Sequence, residues 1–317
     1  MKTLKSTLIA LILSITFTSC VVVDENPAHF DNGTNSGISL DQLLQSKDLW
    51  YINSNQTYGT GDVRFLSLAF TLSFRNGNIY ANNNLVGIGS VGNGIGDQIG
   101  YYNTNGTVLE IDHDLDGAID LEVIQTSNNR IKLRSLNQNV TYQLTGYNLN
   151  EFNFDAVFYD NIEFFLQEYT AWEKTATIDG AENDFDNENF LAFIPENRNS
   201  FLSSQDPVGT NVAGIIWDFS GGYEIFDVQG YDNLKIIELH YDDYGTEEFE
   251  LTVLNDGKIE LYHNASDTTY IFEGLDQIIY KKINPSKNGM NKEPRKRFKV
   301  LRKTKVRKTK QHKTSNR

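Results

Sequence analysis

Residues 109–146 read LEIDHDLDGAIDLEVIQTSNNRIKLRSLNQNVTYQLTG, and residues 237–274 read IELHYDDYGTEEFELTVLNDGKIELYHNASDTTYIFEG. The two stretches align without a gap at an offset of 128 positions. The identical pairs include Glu110/Glu238, Asp114/Asp242, Gly117/Gly245, Ile131/Ile259, Leu133/Leu261, Thr141/Thr269, Tyr142/Tyr270 and Gly146/Gly274. Self-similarity at a fixed spacing indicates a duplicated structural unit, so we predict two copies of one domain.

Side-chain alternation within this stretch indicates β-strands. Ile131 and Leu133 alternate with charged residues, and a period of two with one polar face is typical of an antiparallel meander. The pattern predicts strands at 49–56, 68–75, 78–84, 97–103, 107–112, 118–126, 130–136 and 140–147. Asn76-Gly77 predicts a tight hairpin, because this dipeptide readily adopts positive φ. Short helices are predicted at 40–45, with Ser39 as the cap, and at 162–169.

Upstream segments extend the duplication. The segment around Trp50, LLQSKDLWYIN, is similar to the segment around Trp172, FLQEYTAWEKT. Residues 65–70, FLSLAF, are likewise similar to residues 188–193, ENFLAF. We therefore predict an all-β fold of two tandem antiparallel meander barrels, with about eight strands each. The predicted domains cover residues 38–154 and 155–282.

The first twenty residues have the pattern of an export signal. Lys2 and Lys5 precede an apolar stretch at residues 8–17, and Thr18-Ser19-Cys20 follows it. This stretch is shorter than the roughly 20 apolar residues of a membrane-spanning helix. We predict a signal peptide at 1–19 and a linker at 20–37. Because Cys20 is the single cysteine, a disulfide framework is excluded.

A lone cysteine after such a stretch resembles the lipobox of bacterial lipoproteins. In that family the cysteine is lipidated, for example with palmitate, and becomes the first residue of the mature protein. An Asp beside the cysteine marks retention in the inner membrane, and Val21 stands there instead. The resemblance implies a lipid anchor on Cys20 and an outer-membrane lipoprotein, facing the periplasm or the cell surface. A plain signal peptide with an incidental cysteine is the alternative.

Eight meander strands, a short helix before them and Trp50 on the first strand resemble the lipocalin-like domain. Paired copies behind a lipobox resemble a family of flavobacterial-type lipoproteins, which implies a non-enzymatic module that binds a small apolar ligand or an envelope protein. Some members carry the label nicotinic acid mononucleotide adenylyltransferase. That activity requires a Gly-x-x-x-Pro-x-His-x-Gly-His motif, and none of the five histidines here has a neighbouring Gly-His pairing. A nucleotidyltransferase is therefore a third alternative without support from motifs.

Charge is distributed very unevenly along the chain. Residues 281–317 contain sixteen Lys and Arg and one acid, Glu293, for a net +15, whereas residues 24–280 carry −31. A body this acidic repels nucleic acid and anionic membranes, so no nucleic-acid partner is expected. The tail at 283–317 is too charged to bury a core and is predicted to be disordered. It is expected to fold back onto the acidic body or to contact polyanions; a reading-frame artefact is the remaining alternative.

An acidic run at 112–120, DHDLDGAID, matches a calcium loop, with carboxylates at its first, third, fifth and ninth positions and Gly117 at the sixth. Calcium takes six to eight oxygen ligands at about 2.3–2.6 Å, and alternate residues of a tight loop direct oxygens at one centre. The predicted ligands are Asp112, Asp114, Asp116, the carbonyl of Ala118, and Asp120. A calcium-stabilised surface structural or adhesion protein is accordingly the alternative function. The matching positions of the second copy are His240, Asp242, Tyr244 and Glu248, so a metal-free acidic turn stays open.

Other motifs have simpler explanations. The G-x-G-x-x-G pattern at 87–92 is followed by Asn-Gly-Ile-Gly rather than by the helix that dinucleotide binding requires, so we predict a loop between strands. Without a second cysteine or a histidine cluster, no catalytic residues are predicted. The aromatic content of 12% is expected to fill the barrels, with a ligand pocket as the alternative.

Overall fold

A computed structural model of the chain describes residues 37–82, 94–195, 199–243, 245–278 and 296–308. The predicted signal peptide, the linker with Cys20 and the glycine-rich loop at 87–92 lie outside these residues. Within the described residues, no helix is long and apolar enough to cross a membrane.

The first eight strands form a closed antiparallel barrel, here called barrel 1. Each strand pairs with the next along the chain, and the last pairs with the first to close the barrel. Its elements are α1 (Leu40–Gln45), β1 (Leu49–Gly59), α2 (Arg64–Leu68), β2 (Thr71–Arg75), β3 (Asn78–Asn82), β4 (Asp97–Asn105), β5 (Val108–His113), β6 (Gly117–Ser127), β7 (Arg130–Ser135) and β8 (Val140–Tyr147).

The next eight strands form a second closed antiparallel barrel, barrel 2. The predicted fold of two tandem eight-stranded meander barrels is confirmed. The elements are α3 (Phe154–Asp160), α4 (Ile162–Leu166), β9 (Tyr169–Ile178), a 3₁₀ helix (Asp184–Asn187), β10 (Phe190–Phe193), β11 (Ser200–Ser204), a 3₁₀ helix (Val212–Gly214), β12 (Phe219–Val228), β13 (Tyr231–Tyr241), β14 (Thr246–Asn255), β15 (Lys258–His263) and β16 (Thr268–Gln277). A short strand, β17 (Thr304–Lys305), pairs in parallel with β12.

The aligned stretches occupy equivalent places, on β5–β8 of barrel 1 and β13–β16 of barrel 2. Trp50 and Trp172 are also equivalent. Each lies on the first strand of its barrel and donates its indole N–H to a carbonyl six residues earlier, over 2.9 and 2.8 Å. Gly146 is the strand partner of Trp50, and Gly274 is the partner of Trp172. The duplicated sequence therefore builds the same helix–strand junction twice.

One part of the predicted upstream match is corrected by the strand register. Leu72 lies opposite Trp50, and Leu191 lies opposite Trp172. The segment FLAF at 190–193 therefore corresponds to TLSF at 71–74 and not to FLSLAF at 65–70. The first four residues of FLSLAF, 65–68, instead belong to α2 (Arg64–Leu68), so similar sequences adopt different structures in the two barrels.

Local sequence signals account for several of these elements. Ser39 caps α1, as predicted, and exchanges hydrogen bonds with Gln42 in a capping box. Asn76 and Gly77 join β2 to β3 with φ values of +49° and +80°, the geometry that Asn-Gly predicts. The helix predicted at 162–169 ends at Leu166 because β9 begins at Tyr169.

Aliphatic and aromatic side chains together fill the interiors of both barrels. The largest fully buried side chains include Trp50 and Phe74 in barrel 1 and Trp172, Phe193 and Tyr270 in barrel 2. Each buried side chain of this size contributes about 1.5–3 kcal/mol relative to an exposed one. The core cluster of barrel 2 continues through α3 and α4 to Leu49, Tyr51 and Phe70 of barrel 1, so the two barrels are packed together.

The basic tail does not behave as predicted over residues 296–308. This segment is ordered along both barrels, and its backbone accepts hydrogen bonds from Asp227 and Gln229 over 3.0 and 2.9 Å. The expectation of disorder rested on the lack of apolar residues, but ion pairs to the acidic body hold the segment in place. Residues 296–308 thus fold back onto the acidic body, as the sequence allowed. The other tail residues lie outside the described part of the chain.

Candidate functional site

A cavity of about 420 Å³ lies at one end of barrel 2. At this end the loops β9–β10, β11–β12, β13–β14 and β15–β16 meet, and α4 lies at the opposite end, where β9 begins. We call it the end cavity. Its lining includes Asp184, Phe185, Glu188, Phe219, Tyr241 and Glu247. Acidic and aromatic side chains therefore share one concave surface.

The 3₁₀ helix Asp184–Asn187 positions one wall of the end cavity. Asn183 and Asp186 form a capping box around it, and the Tyr270 hydroxyl donates a 2.6 Å hydrogen bond to Asp186. These contacts direct Phe185 into the barrel, where its ring centroid lies 4.6 Å from that of Phe249. The chain that leaves this helix then places Glu188 in the cavity wall.

Glu188 and Tyr241 form a buried polar pair in the wall. The Tyr241 hydroxyl lies 2.7 and 2.9 Å from the two carboxylate oxygens of Glu188 and donates to them. Glu188 is only 6% exposed. Burial raises the pKa of Glu188, and the nearby charge of Glu247 adds to the rise. Burial and the Glu188 carboxylate likewise raise the pKa of Tyr241.

Two basic side chains lie near this pair. The buried Lys174 donates a 2.5 Å hydrogen bond to the carbonyl of Asp186, and burial lowers the pKa of its amine. Its charge opposes the rise in the pKa of Glu188 without cancelling it. His263 Nε2 lies 2.8 Å from a carboxylate oxygen of Glu247. The cavity thus combines a buried carboxyl, a hydroxyl and a second carboxylate, which can accept or donate hydrogen bonds to a small ligand.

The corresponding end of barrel 1 is built differently. The repeat pairs Tyr241 with His113 and Glu247 with Ile119. His113 stacks on Phe65 of α2, with ring centroids 5.2 Å apart. Burial lowers the pKa of His113, although Asp116 and Asp114 oppose this. A helix thus covers in barrel 1 the place where barrel 2 has its cavity wall.

The predicted calcium hairpin joins β5 to β6 with Gly117 at a φ of +73°, so the turn is confirmed. Asp112 and Asp120 are exposed on the two strands. The carboxylate of Asp116 already has two other partners, since it lies 3.7 Å from both Arg64 and His113. Among the described residues, Asp112, Asp114, Asp116 and Asp120 do not form a group of three ligand atoms within 4.8 Å of one another. Calcium binding at this hairpin, with the Ala118 carbonyl as a further ligand, stays a prediction.

A different group does meet that distance. Glu224, Glu238 and His240 place one ligand atom each within 4.8 Å of one another on β12 and β13. Both carboxylates are already paired, Glu224 with Lys303 at 2.9 Å and Glu238 with Lys305. Any metal ion would therefore have to displace two ammonium groups, which makes this a weak candidate for a metal centre.

No motif in the sequence marks Glu188 or Tyr241 as functional. They are 53 positions apart, and only the closure of barrel 2 brings them together. One signal was available, since the repeat alignment shows where the second copy departs from the first. Tyr241 in place of His113 and Glu247 in place of Ile119 mark the end of barrel 2 as chemically distinct.

The fold and the site together define the class of this protein as a tandem pair of eight-stranded antiparallel β-barrels with a polar cavity at one end. No protein-family model and no curated protein matches the chain.

Proposed function

We propose that this protein is a non-enzymatic small-ligand binding module whose site is the end cavity of barrel 2. The observation that carries the proposal is the buried Glu188–Tyr241 pair in the wall of a 420 Å³ cavity. Ligand sites are typically concave, about 300–1,000 Å³ in volume, and lined by aromatic groups with a few convergent polar ones. A buried carboxyl with a raised pKa, such as Glu188, supports a functional role for the cavity.

The lining indicates the chemistry of the ligand. Asp184, Glu188 and Glu247 offer oxygen acceptors, and Phe219 offers an aromatic face. We infer a small organic ligand with hydroxyl or ammonium groups, because acidic acceptors and aromatic rings favour donors and cations. This differs from the apolar ligand expected from the sequence. The reason is that buried apolar side chains fill the interiors of both barrels.

We further propose that the module is exported and anchored in the outer membrane through a lipid on Cys20. The support is the sequence of the first twenty residues, with its charged start, apolar stretch and terminal cysteine. The tandem barrels fit the resemblance to paired lipocalin-like lipoproteins. Labelling of cells with a palmitate analogue tests the anchor: wild-type chain should incorporate the label, and Cys20→Ser should not. Equal labelling of the two would contradict it.

A ligand screen tests the proposed site. Thermal-shift measurements on the full chain with small amines, polyols and carboxylates should give stabilisation by amines or polyols and none by carboxylates. Tyr241→Phe, which removes only the hydroxyl, should weaken binding about tenfold, the value of one hydrogen bond to a charged or buried group.

The matched control is Tyr169→Phe, because the Tyr169 hydroxyl donates to Asp256 at the opposite end of barrel 2. This variant should bind the same compounds with unchanged affinity. Failure of every amine and polyol to bind, or equal affinity in the Tyr241→Phe variant, would overturn the proposal.

A further inference from the structure

Three glutamates form a row across the outer face of barrel 2. Glu224 lies directly opposite Glu238, and Glu238 lies directly opposite Glu248, so one carboxylate is contributed by each of β12, β13 and β14. Like charges directly opposite one another destabilise a sheet. This row therefore requires cations in close contact, and the sheet itself does not supply enough of them.

The C-terminal segment, residues 296–308, supplies these cations. Lys303 lies 2.9 Å from Glu224, Lys305 contacts both Glu238 and Glu248, and Lys308 lies 2.6 Å from Glu248. Burial raises the pKa of Glu248, but hydrogen bonds from Lys308 and Lys305 lower it by more, so the pKa lies below its usual value. Three lysines of the segment, at positions 303, 305 and 308, therefore pair with all three carboxylates of the row.

A bidentate pair extends the match beyond the row. The Arg307 guanidinium donates two hydrogen bonds of 3.0 and 2.8 Å to Glu250. Lys305 also lies 4.0 Å above the centre of the Phe226 ring, a cation–π contact. The surface thus recognises the order of residues in the segment as well as its total charge.

The segment also completes a strand edge. Among the described residues, β11 pairs with residues 219–222 of β12 and not with the later part of that strand. β17 pairs in parallel with that later part, opposite Asp227 and Val228. Addition of an extended peptide to an open sheet edge is a common mode of peptide recognition. We call the glutamate row, Glu250 and this edge of β12 the acidic groove.

The segment bridges open space next to the groove. A cleft of about 980 Å³ lies between residues 298–302 and barrel 2, with Gly222, Glu224 and His240 in its wall. Lys303 and Lys308 are respectively 76% and 68% exposed at the side chain, so their pairs are weak and sensitive to salt. Residues 303–308 are therefore bound on the surface of barrel 2, whereas Arg302 before them is buried against Glu163.

We propose that the acidic groove is a docking site for a basic extended segment, that residues 296–308 are its covalently attached occupant, and that the same segment of a second copy of this chain takes its place. This interaction surface is separate from the end cavity, and the proposal is independent of the function of that cavity. The segment of a second copy has the same sequence, so it can make the same contacts with the acidic groove as the attached segment makes. The connecting residues 279–295 make docking intramolecular, so the competing segment faces an effective concentration on the order of millimolar.

A peptide exchange experiment tests this. The probe is a fluorescent synthetic peptide with the sequence of residues 296–308, added to the full chain and followed by anisotropy. It should bind the full-chain variant Lys305→Ala/Lys308→Ala about tenfold or more tighter than wild-type chain, because the variant's own segment competes less. Lys299→Ala, a change at an exposed lysine of the same segment, should leave the affinity at the wild-type value.

The order of residues is tested by altered peptides. A scrambled peptide of the same composition and a peptide carrying Arg307→Ala, which removes the bidentate pair with Glu250, should each bind about tenfold or more weakly. Sedimentation of the wild-type chain should also show an increase in mass as its concentration approaches about 1 mM. Equal affinity of native and scrambled peptides, equal affinity of the wild-type and double-variant chains, or a constant monomer mass would each overturn the proposal.

Discussion

The guanidinium of Arg302 donates two hydrogen bonds to the carboxylate of Glu163, over 2.7 and 2.5 Å. Their side chains are only 7% and 9% exposed. A third hydrogen bond runs from Arg302 to the carbonyl of Asp160 over 3.0 Å. Glu163 lies on α4, the helix that leads into barrel 2. The distant tail is therefore fixed at the junction that follows barrel 1.

Removal of this arginine should be strongly destabilising. Arg302→Ala leaves Glu163 buried without its partner, which costs about 3–5 kcal/mol for a buried pair. Urea unfolding of the full chain measures the loss. The control is Lys303→Ala, whose ion pair with Glu224 is exposed and should contribute less than about 1 kcal/mol. Similar losses of unfolding free energy in Arg302→Ala and Lys303→Ala would show that burial of the Arg302–Glu163 pair does not increase its contribution to stability.

Arg297 should hold the two barrels together. Its guanidinium donates 2.8 Å hydrogen bonds to the carbonyls of Ile52 and Ala69 in barrel 1 and a 3.0 Å bond to Asn161 in the link before α4. It also lies 4.2 Å from the centre of the Phe70 ring. Lysine keeps the charge but lacks the planar fork.

We therefore expect Arg297→Lys to lower the free energy of unfolding by about 1.5–3 kcal/mol, the value of hydrogen bonds to a charged group. Calorimetry of the full chain should show a lower transition temperature and a separation of the two barrels' transitions. Lys299→Gln is the control and should unfold like wild type. A single unshifted transition in Arg297→Lys would contradict the role assigned to this residue.

Much of the architecture could be predicted because it depends on local alternation. Ile131 and Leu133 are no more than 1% exposed, while Arg130 and Arg134 on either side of this pair are exposed, as the period of two requires. The positions of Trp50 and Trp172 could be predicted as well, because the segments around them are repeated in the sequence. Turn chemistry at Asn76 and Gly77 added the hairpin register.

The features that were missed depend on contacts between distant residues. The order of residues 296–308 depends on individual pairs such as Arg302 with Glu163, 139 positions apart, which net charge does not reveal. The Glu188–Tyr241 pair needs the closed barrel. The α3 helix was also missed, although Asn153 accepts a capping hydrogen bond from Ala156, because its aromatic residues are equally typical of a strand.

The repeat predicts a steric requirement at Gly274. A Cβ atom there would lie 2.4 Å from the ring of Tyr169, a core residue packed against Trp172. Gly274→Ala should therefore lower the free energy of unfolding by about 1–3 kcal/mol, as overpacking does. Gly214→Ala is the control, because a Cβ at that position has no neighbour within 4 Å. Equal unfolding midpoints in urea would contradict this prediction.

The buried Glu188 should make stability fall as pH rises. Its pKa in the unfolded chain is near 4.5 and is raised in the folded protein by burial and by the charge of Glu247, with Lys174 opposing. Between these two values the folded state binds more protons than the unfolded state, so stability is full below about pH 4.5 and is lost as pH rises through the folded pKa. Glu188→Gln cannot ionise, so its advantage over wild type should grow across this window in urea midpoints measured from acid to neutral pH. Glu182→Gln, a change at an exposed acid of the same loop, should retain the wild-type pH slope, and a Glu188→Gln slope identical to wild type would refute the assignment.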